Sequence, residues 1–185
     1  MTVRKPKRIA VDMDEVLADA FSELLLRYNR DHGASITKAD LNGTSLWNIV
    51  PQDHHARLES YLQAEDFFED LPVMDGSQEV LAGLAEQYEV FIATAAMEFP
   101  NSFVPKYRWL RRHFPFLSPQ NFVFCGNKGI LQADFLIDDM PRHFQYFQGE
   151  GILFSAPHNA LVTGYRRVNN WREVGELFLG KGHKG

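Results

Sequence analysis

Ile9-Ala10-Val11-Asp12-Met13-Asp14-Glu15-Val16-Leu17 is the stretch on which the reading of this chain turns. Its first three residues are small or β-branched and uncharged, as in a strand buried on both faces. Asp12, Asp14 and Glu15 then crowd carboxylates together where that strand ends. Like charges this close cost stability unless a cation or a proton sits among them. Open α/β sheets bind their ligands at the carboxyl ends of the strands. Asp12 and Asp14 are therefore the first candidates for chemistry, set against the plainer reading of an acidic turn that caps the next helix.

Working outward, Leu17, Phe21, Leu24, Leu25 and Tyr28 recur at helical spacing, and Gly33 supplies a stop. Residues 36–50 have no clean period. Pro51 opens a helix carrying Leu58, Tyr61 and Leu62, and Leu71-Pro72 begins the return. No strand signal falls between residues 18 and 72. From Asp75 the alternation is regular. Ser77 caps a helix with Val80, Leu81 and Leu84, and Val90–Thr94 reads as a strand. Asn101 and Ser102 cap a helix whose apolar face is Phe103, Tyr107, Leu110 and Phe114. Phe122–Cys125, Asp134–Asp139 and Gly151–Phe154 read as further strands. Pro141 starts a short helix, and Trp171, Val174, Leu177 and Phe178 mark a closing one. This alternation predicts an α/β fold, a doubly wound parallel sheet with a small helical cap inserted after the first strand. The expected division is a core of residues 1–17 and 73–180, a cap of 18–72, and a disordered tail of 181–185.

Composition narrows the classes. The 185 residues are 45% hydrophobic and 23% charged, which suits one soluble domain with a sizeable core. A net charge of −5 gives no overall pull toward a nucleic-acid polymer or an anionic membrane. The basic start Arg4-Lys5-Pro6-Lys7-Arg8 is local and reads as a solvated lead-in. No apolar run reaches the ~20 residues of a membrane span, and the first residues lack the apolar core of a signal peptide. The single cysteine, Cys125, lies in an apolar run and reads as inert. A reducing cytoplasm fits these features.

Successive strands end in polar groups at one edge: Asp12 and Asp14 after the first, Thr94 after the second, Asp138 and Asp139 after the fourth. Lys128 follows the third. Carboxylate oxygens suit hard cations, and Mg²⁺ commonly takes a few carboxylates and completes its shell with water and phosphate. A phosphate there would also explain the donors Thr94 and Lys128.

This order of Asp-x-Asp, Thr, Lys and Asp-Asp resembles the haloacid-dehalogenase (HAD) superfamily of phosphohydrolases. Within it, Asp12–Asp19, Thr94–Ser102, Leu136–Asp139, Pro157-His158-Asn159 and Arg167–Trp171 resemble the 5'(3')-deoxyribonucleotidase family, over about residues 8 to 178. The resemblance implies a Mg²⁺-dependent phosphatase of deoxyribonucleoside monophosphates. It implies Asp12 as nucleophile, forming an aspartyl-phosphate, and Asp14 as general acid and base. Asp12, the Asp14 carbonyl and Asp138 would hold Mg²⁺, with Asp139 as ligand or support. Thr94, the Ala95 amide and Lys128 would bind phosphate. Some relatives carry Ser where this chain has Ala95, so only a backbone donor is expected at that position. The expected partner is a small nucleoside monophosphate, with no nucleic-acid polymer and no membrane; a homodimer stays open.

Electrostatics agree with that assignment. A carboxylate attacking a phosphate dianion meets like charge, about 4 kcal/mol per unit pair at ~4 Å and an effective dielectric near 20. One Mg²⁺ and one ammonium reverse the sign. Uncatalysed monoester hydrolysis is among the slowest reactions, with accelerations that approach ~10²¹. The cap would cover this edge, with Trp47 and Phe67 facing the substrate base; for Phe67, as for Phe68, packing inside the cap is an equal expectation. Phe21 is a second candidate to face the pocket, though its helical spacing favours the core; His54 and His55 are expected on the cap surface, and Arg108, Arg111 and Arg112 on a solvated helix face. A phosphatase of another small ester, such as a sugar phosphate, and a phospho-acceptor receiver module remain the alternatives.

Overall fold

The fold is a computed structural model that describes residues 5–180; the expected tail at 181–185 lies outside the described residues. Six parallel strands form one sheet: β1 (Arg8–Val11), β2 (Glu89–Thr94), β3 (Phe122–Phe124), β4 (Phe135–Asp138), β5 (Glu150–Phe154) and β6 (Arg166–Val168). Their order is β3-β2-β1-β4-β5-β6. The chain thus winds outward from β1 to β3, then restarts on the other side of β1 with β4. The crevice at this change of direction, at the carboxyl ends of β1 and β4, is where an open α/β sheet binds ligands. The predicted α/β class is the observed one.

Pleating sends alternate residues of β1 to opposite faces. Ile9 and Val11 join the larger core, with Val80, Leu81 and Leu84 of α4 (Ser77–Gln87), Trp109 and Leu110 of α5 (Phe103–His113), and Trp171 and Val174 of α6 (Trp171–Phe178). Ala10 faces the other side with Ala93, Leu136 and Phe147, under the short helical turns at Lys128–Ile130 and Pro141–Phe144.

Between β1 and α4 lie α1 (Ala20–His32), α2 (Leu46–Ile49) and α3 (His55–Gln63), and no strand of the sheet. Asp19 caps α1 by accepting from the Ser22 amide at 3.0 Å, and Gly33 ends it in the left-handed conformation. The two connections to the sheet are tied side by side, since the Asp19 amide donates to the Pro72 carbonyl and the Met74 amide to that of Leu17, both at 2.8 Å. Trp171 Nε1 donates to the Val16 carbonyl at 2.7 Å and Trp109 Nε1 to that of Leu71 at 2.8 Å. Two buried indoles thereby fix both legs of the inserted segment.

Several local expectations change. Gly76, with φ 73°, takes the cap position of α4 expected for Ser77, which becomes its first helical residue. In α5, Tyr107 is exposed, while Trp109, Leu110, Pro105 and Lys106 are buried. The buried stripe is thus rotated from the expected one. β6 carries two arginines in three residues and gave no alternation to read. His54 and His55 are partly buried rather than free on the surface: Tyr28 Oη lies 2.8 Å from His54 Nδ1, and His54 stacks on His32. No helix among the described residues is long and apolar enough to cross a membrane.

Candidate active site

The strand ends deliver the expected acids to one place. Carboxylate oxygens of Asp12, Asp138 and Asp139, all buried, lie within 4.8 Å of one another. The Asp12 amide donates to the Ile137 carbonyl at 2.9 Å, so the ends of β1 and β4 advance together. Lys128 Nζ donates to Asp12 Oδ1 at 2.5 Å and to Asp138 Oδ2 at 2.6 Å, and Lys128 is itself only 1% exposed. Burial pulls the Lys128 ammonium down, but the two carboxylates outweigh it and hold it above the usual lysine range.

Burial sets the acids apart. It pushes Asp12 up to about 6, against the lowering pull of Lys128 and with a further push from Asp138. For Asp138, burial works in the same direction, but Lys128 and His143 outweigh it and hold its carboxyl below the usual range. His143 Nδ1 lies 2.9 Å from Asp138 Oδ2, and the Met140 amide donates to Asp138 Oδ1 at 2.9 Å. Asp139 is raised well above the ordinary value, first by burial and then by Asp138 and Asp12. Three buried carboxyls around one ammonium therefore carry surplus negative charge. All the donor atoms are hard oxygens. A divalent cation fits this set, because it would let Asp139 ionise as well.

Asp14 is built differently. Its Oδ2 is paired to Lys106, whose Nζ also donates to Thr94 Oγ1 at 3.0 Å. Its Oδ1 is buried and has no partner. Lys106 lies in the first turns of α5, almost wholly buried, with Nζ 4.5 Å from the Phe68 ring centroid. Nothing in the sequence reading singled it out. The available signal was its place just inside a helix that follows the Thr94 loop.

The loop after β4 is braced from below. Asn159 Nδ2 donates to the carbonyls of Asp139 and Phe154, each at 2.8 Å, and Arg167 donates to Asn159 Oδ1 at 2.8 Å. These contacts give a structural purpose to two of the quoted motifs, Pro157-His158-Asn159 and Arg167–Trp171. His158 Nε2 lies 3.4 Å from Asp139 Oδ2 and its ring meets Phe21 edge-on.

Above the acids lies a cavity of about 240 Å³. Asp12, Asp14, Glu15, Ala95 and Asp139 line it on the sheet side, and Phe21, Leu24, Trp47, Leu62 and Phe68 on the side of the inserted segment. Glu98 and Arg142, paired at 2.6 Å, also line it. Phe67, expected against the base, does not line it: it is 1% exposed, covered by the Arg27 guanidinium 5.2 Å from its centroid and edge-on to Phe68. The pair lies in the turn after α3, where neighbouring side chains point different ways, and only Phe68 reaches the cavity. Phe21, favoured for the core and a second candidate for the pocket, does both: it packs against the core and lines the cavity. A larger groove of about 660 Å³ beside Met74, Asp75 and Arg172 holds none of the clustered acids.

Comparison with known proteins agrees with this geometry. Residues 6–182 match the family described as 5' nucleotidase, deoxy (pyrimidine), cytosolic type C protein. The 5'(3')-deoxyribonucleotidase of Bacillus subtilis is 38% identical over 173 residues, 94% of this chain and 99% of that protein. The chain belongs to this family. A Staphylococcus aureus relative named provisionally for the same activity is 47% identical over 173 residues, 94% of this chain and 96% of its own. The family's sheet also recurs among distant structures. A haloacid dehalogenase-like hydrolase from Streptococcus pneumoniae aligns with TM-score 0.61 at 13% identity, over 94% of this chain and 98% of its own. A HAD hydrolase from Bacillus subtilis bound to magnesium aligns with TM-score 0.60 at 14% identity, over 95% and 100%. At such identities the likeness concerns the fold alone. In this family member the acids of β1 and β4 thus stand on a HAD-like fold.

Proposed function

We propose that the protein hydrolyses deoxyribonucleoside 5'- and 3'-monophosphates to nucleoside and phosphate, through an aspartyl-phosphate on Asp12, with Mg²⁺ as cofactor. The names of its relatives and the family match support the substrate class. One observation carries the chemistry: Asp12 and Asp138, from adjacent strands, share the Lys128 ammonium beside Asp139 beneath an aromatic cavity.

The steps follow from the side chains. The free carboxylate oxygen of Asp12 attacks phosphorus, a P–O bond forms to Asp12, and the bond to the sugar oxygen breaks. Asp14 gives its proton to that leaving oxygen. Its Oδ1 is the oxygen left free for this role, since Lys106 holds Oδ2. Asp14 then takes a proton from water, the hydroxide oxygen bonds to phosphorus, and Asp12 is released with inorganic phosphate. Thr94 and the Ala95 amide bind phosphate oxygens, and Lys128 balances the incoming dianion. Asp12, Asp138 and Asp139, with the Asp14 carbonyl, would hold Mg²⁺, which when bound neutralises phosphate charge and orients it for attack.

Residues 18–72 act as the cap, with Trp47 and Phe68 presented to the base. We place the reaction in the cytoplasm, where such nucleotides occur. The test is a kinetic panel of deoxy- and ribonucleoside monophosphates and base-free sugar phosphates, with Mg²⁺ and with EDTA. Deoxynucleotides should be hydrolysed with Mg²⁺ and spared with EDTA. A preference for sugar phosphates without a base would overturn the substrate, and turnover undiminished by EDTA would overturn the cofactor.

A further inference from the structure

Glu15 carries two anomalies that the mechanism above does not use. Its φ is 59°, and among the described residues it is the only non-glycine with positive φ. Side chains other than glycine, asparagine and aspartate seldom occupy that region, and such strain gathers at functional sites. Glu15 is 5% exposed, and its carboxyl is half satisfied. Oε1 accepts from the Phe21 amide at 2.6 Å, while Oε2 is buried with no partner. Capping of α1 does not account for the second oxygen, because Asp19 already accepts from the Ser22 amide. A buried polar atom without a partner costs stability and calls for an explanation.

Position supplies one. Glu15 lines the same cavity as Asp14 and follows it in the chain, and its Oε1 is tied to the amide of Phe21, another lining residue. If the phosphoryl group lies over Asp12 and its ester oxygen meets Asp14, the next part of the substrate is the sugar. A deoxyribonucleoside monophosphate has one free sugar hydroxyl, the 3'-OH of a 5'-phosphate or the 5'-OH of a 3'-phosphate. Resting on the reading of the substrate above, we propose that the free Oε2 of Glu15 pairs with this hydroxyl and makes Glu15 a specificity-determining residue for the sugar. A carboxyl oxygen at the junction of phosphate and base subsites meets either hydroxyl, since in both isomers it lies a few bonds from the scissile oxygen. That is consistent with a site that takes both 5'- and 3'-esters.

The test multiplies a deletion in the substrate by a deletion in the protein. The ratio of kcat/KM is measured for a 2'-deoxynucleoside 5'-monophosphate over its 2',3'-dideoxy analogue. In the unaltered protein it should be at least about tenfold, the scale of one hydrogen bond to a buried polar group. Glu15→Gly, which relieves the backbone, and Glu15→Met, which keeps the length without an acceptor, should each bring the ratio below about twofold. Glu15→Gln should keep most of the discrimination, since an amide still pairs with a hydroxyl. A role confined to the α1 terminus would leave the ratio unmoved. The proposal is overturned by a ratio below about twofold in the unaltered protein, or by a tenfold ratio that survives in either folded variant. Should Glu15→Gly not fold, Glu15→Met and the unaltered protein still decide it. Failure of the unaltered protein to hydrolyse any deoxynucleotide would instead bring down the substrate reading.

Discussion

The sheet edge and the inserted helices meet across one cavity and are built on opposite rules. On the sheet side, Asp12 and Asp138 are fixed by one shared ammonium, and Asp138 takes a backbone amide as well. Asp12, Asp138 and Asp14 are each held by a lysine, which suits electrostatic preorganisation. On the other side Trp47, Leu24, Leu62 and Phe68 offer apolar surface and shape. The contrast separates chemistry from selection. Glu15 apart, changes at the sheet edge should alter turnover of any phosphomonoester, and changes among the helices should alter which ester is taken.

The largest effect expected on the sheet side is from Asp12→Asn. It removes the proposed nucleophile while Lys128 keeps Asp138 as partner, so the fold should survive and steady-state turnover should fall by at least about 10⁴-fold. Activity within tenfold of the unaltered protein, with an unchanged circular dichroism spectrum, would falsify the nucleophile assignment. Lys128→Met comes next. It leaves Asp12 and Asp138 buried without their counter-charge, so it should lower both turnover and stability, the latter by about 3–5 kcal/mol as for a broken buried pair. Chemical denaturation measures the second effect independently of catalysis, and an unchanged midpoint would mean that water already reaches the pair.

The same contrast governs what could be read from the sequence. Acids crowded at the ends of apolar strands are a local signal, because nothing in a strand's own packing asks for them. Asp12, Asp14, Asp138 and Asp139 were legible for that reason, and Lys128 followed from its place after β3. Lys106 was not. It stands in α5 near Arg108, Arg111 and Arg112, which are exposed, and only the rotation that buries Trp109 turns it inward. β6 was hidden because a three-residue edge strand bearing two arginines has no hydrophobic period. Among the inserted helices, Phe67 and Phe68 are chemically identical neighbours; which one meets the cavity depends on the angle at which their turn docks. The free oxygen of Glu15 is a tertiary fact of the same sort.

Two substitutions among the helices sharpen the comparison with smaller effects. Trp47→Ala should raise KM for deoxynucleotides by about tenfold, within the ~1–3 kcal/mol of a base stacked on an aromatic ring. It should leave KM for deoxyribose 5-phosphate, which has no base, nearly unchanged. An equal rise for both would move Trp47 from base contact to general cap support. Phe67→Leu is the mildest and the most discriminating. The ring is 1% exposed, under Arg27, which itself donates to both carboxylate oxygens of Asp66 at 3.1 Å. The smaller side chain forfeits ring contacts but stays apolar, so a loss of about 1 kcal/mol is expected from thermal denaturation. KM should stay within about twofold, because Phe68 and not Phe67 forms the cavity wall. A KM rise comparable to that of Trp47→Ala, without loss of stability, would mean that the cap turns Phe67 toward the base when substrate binds.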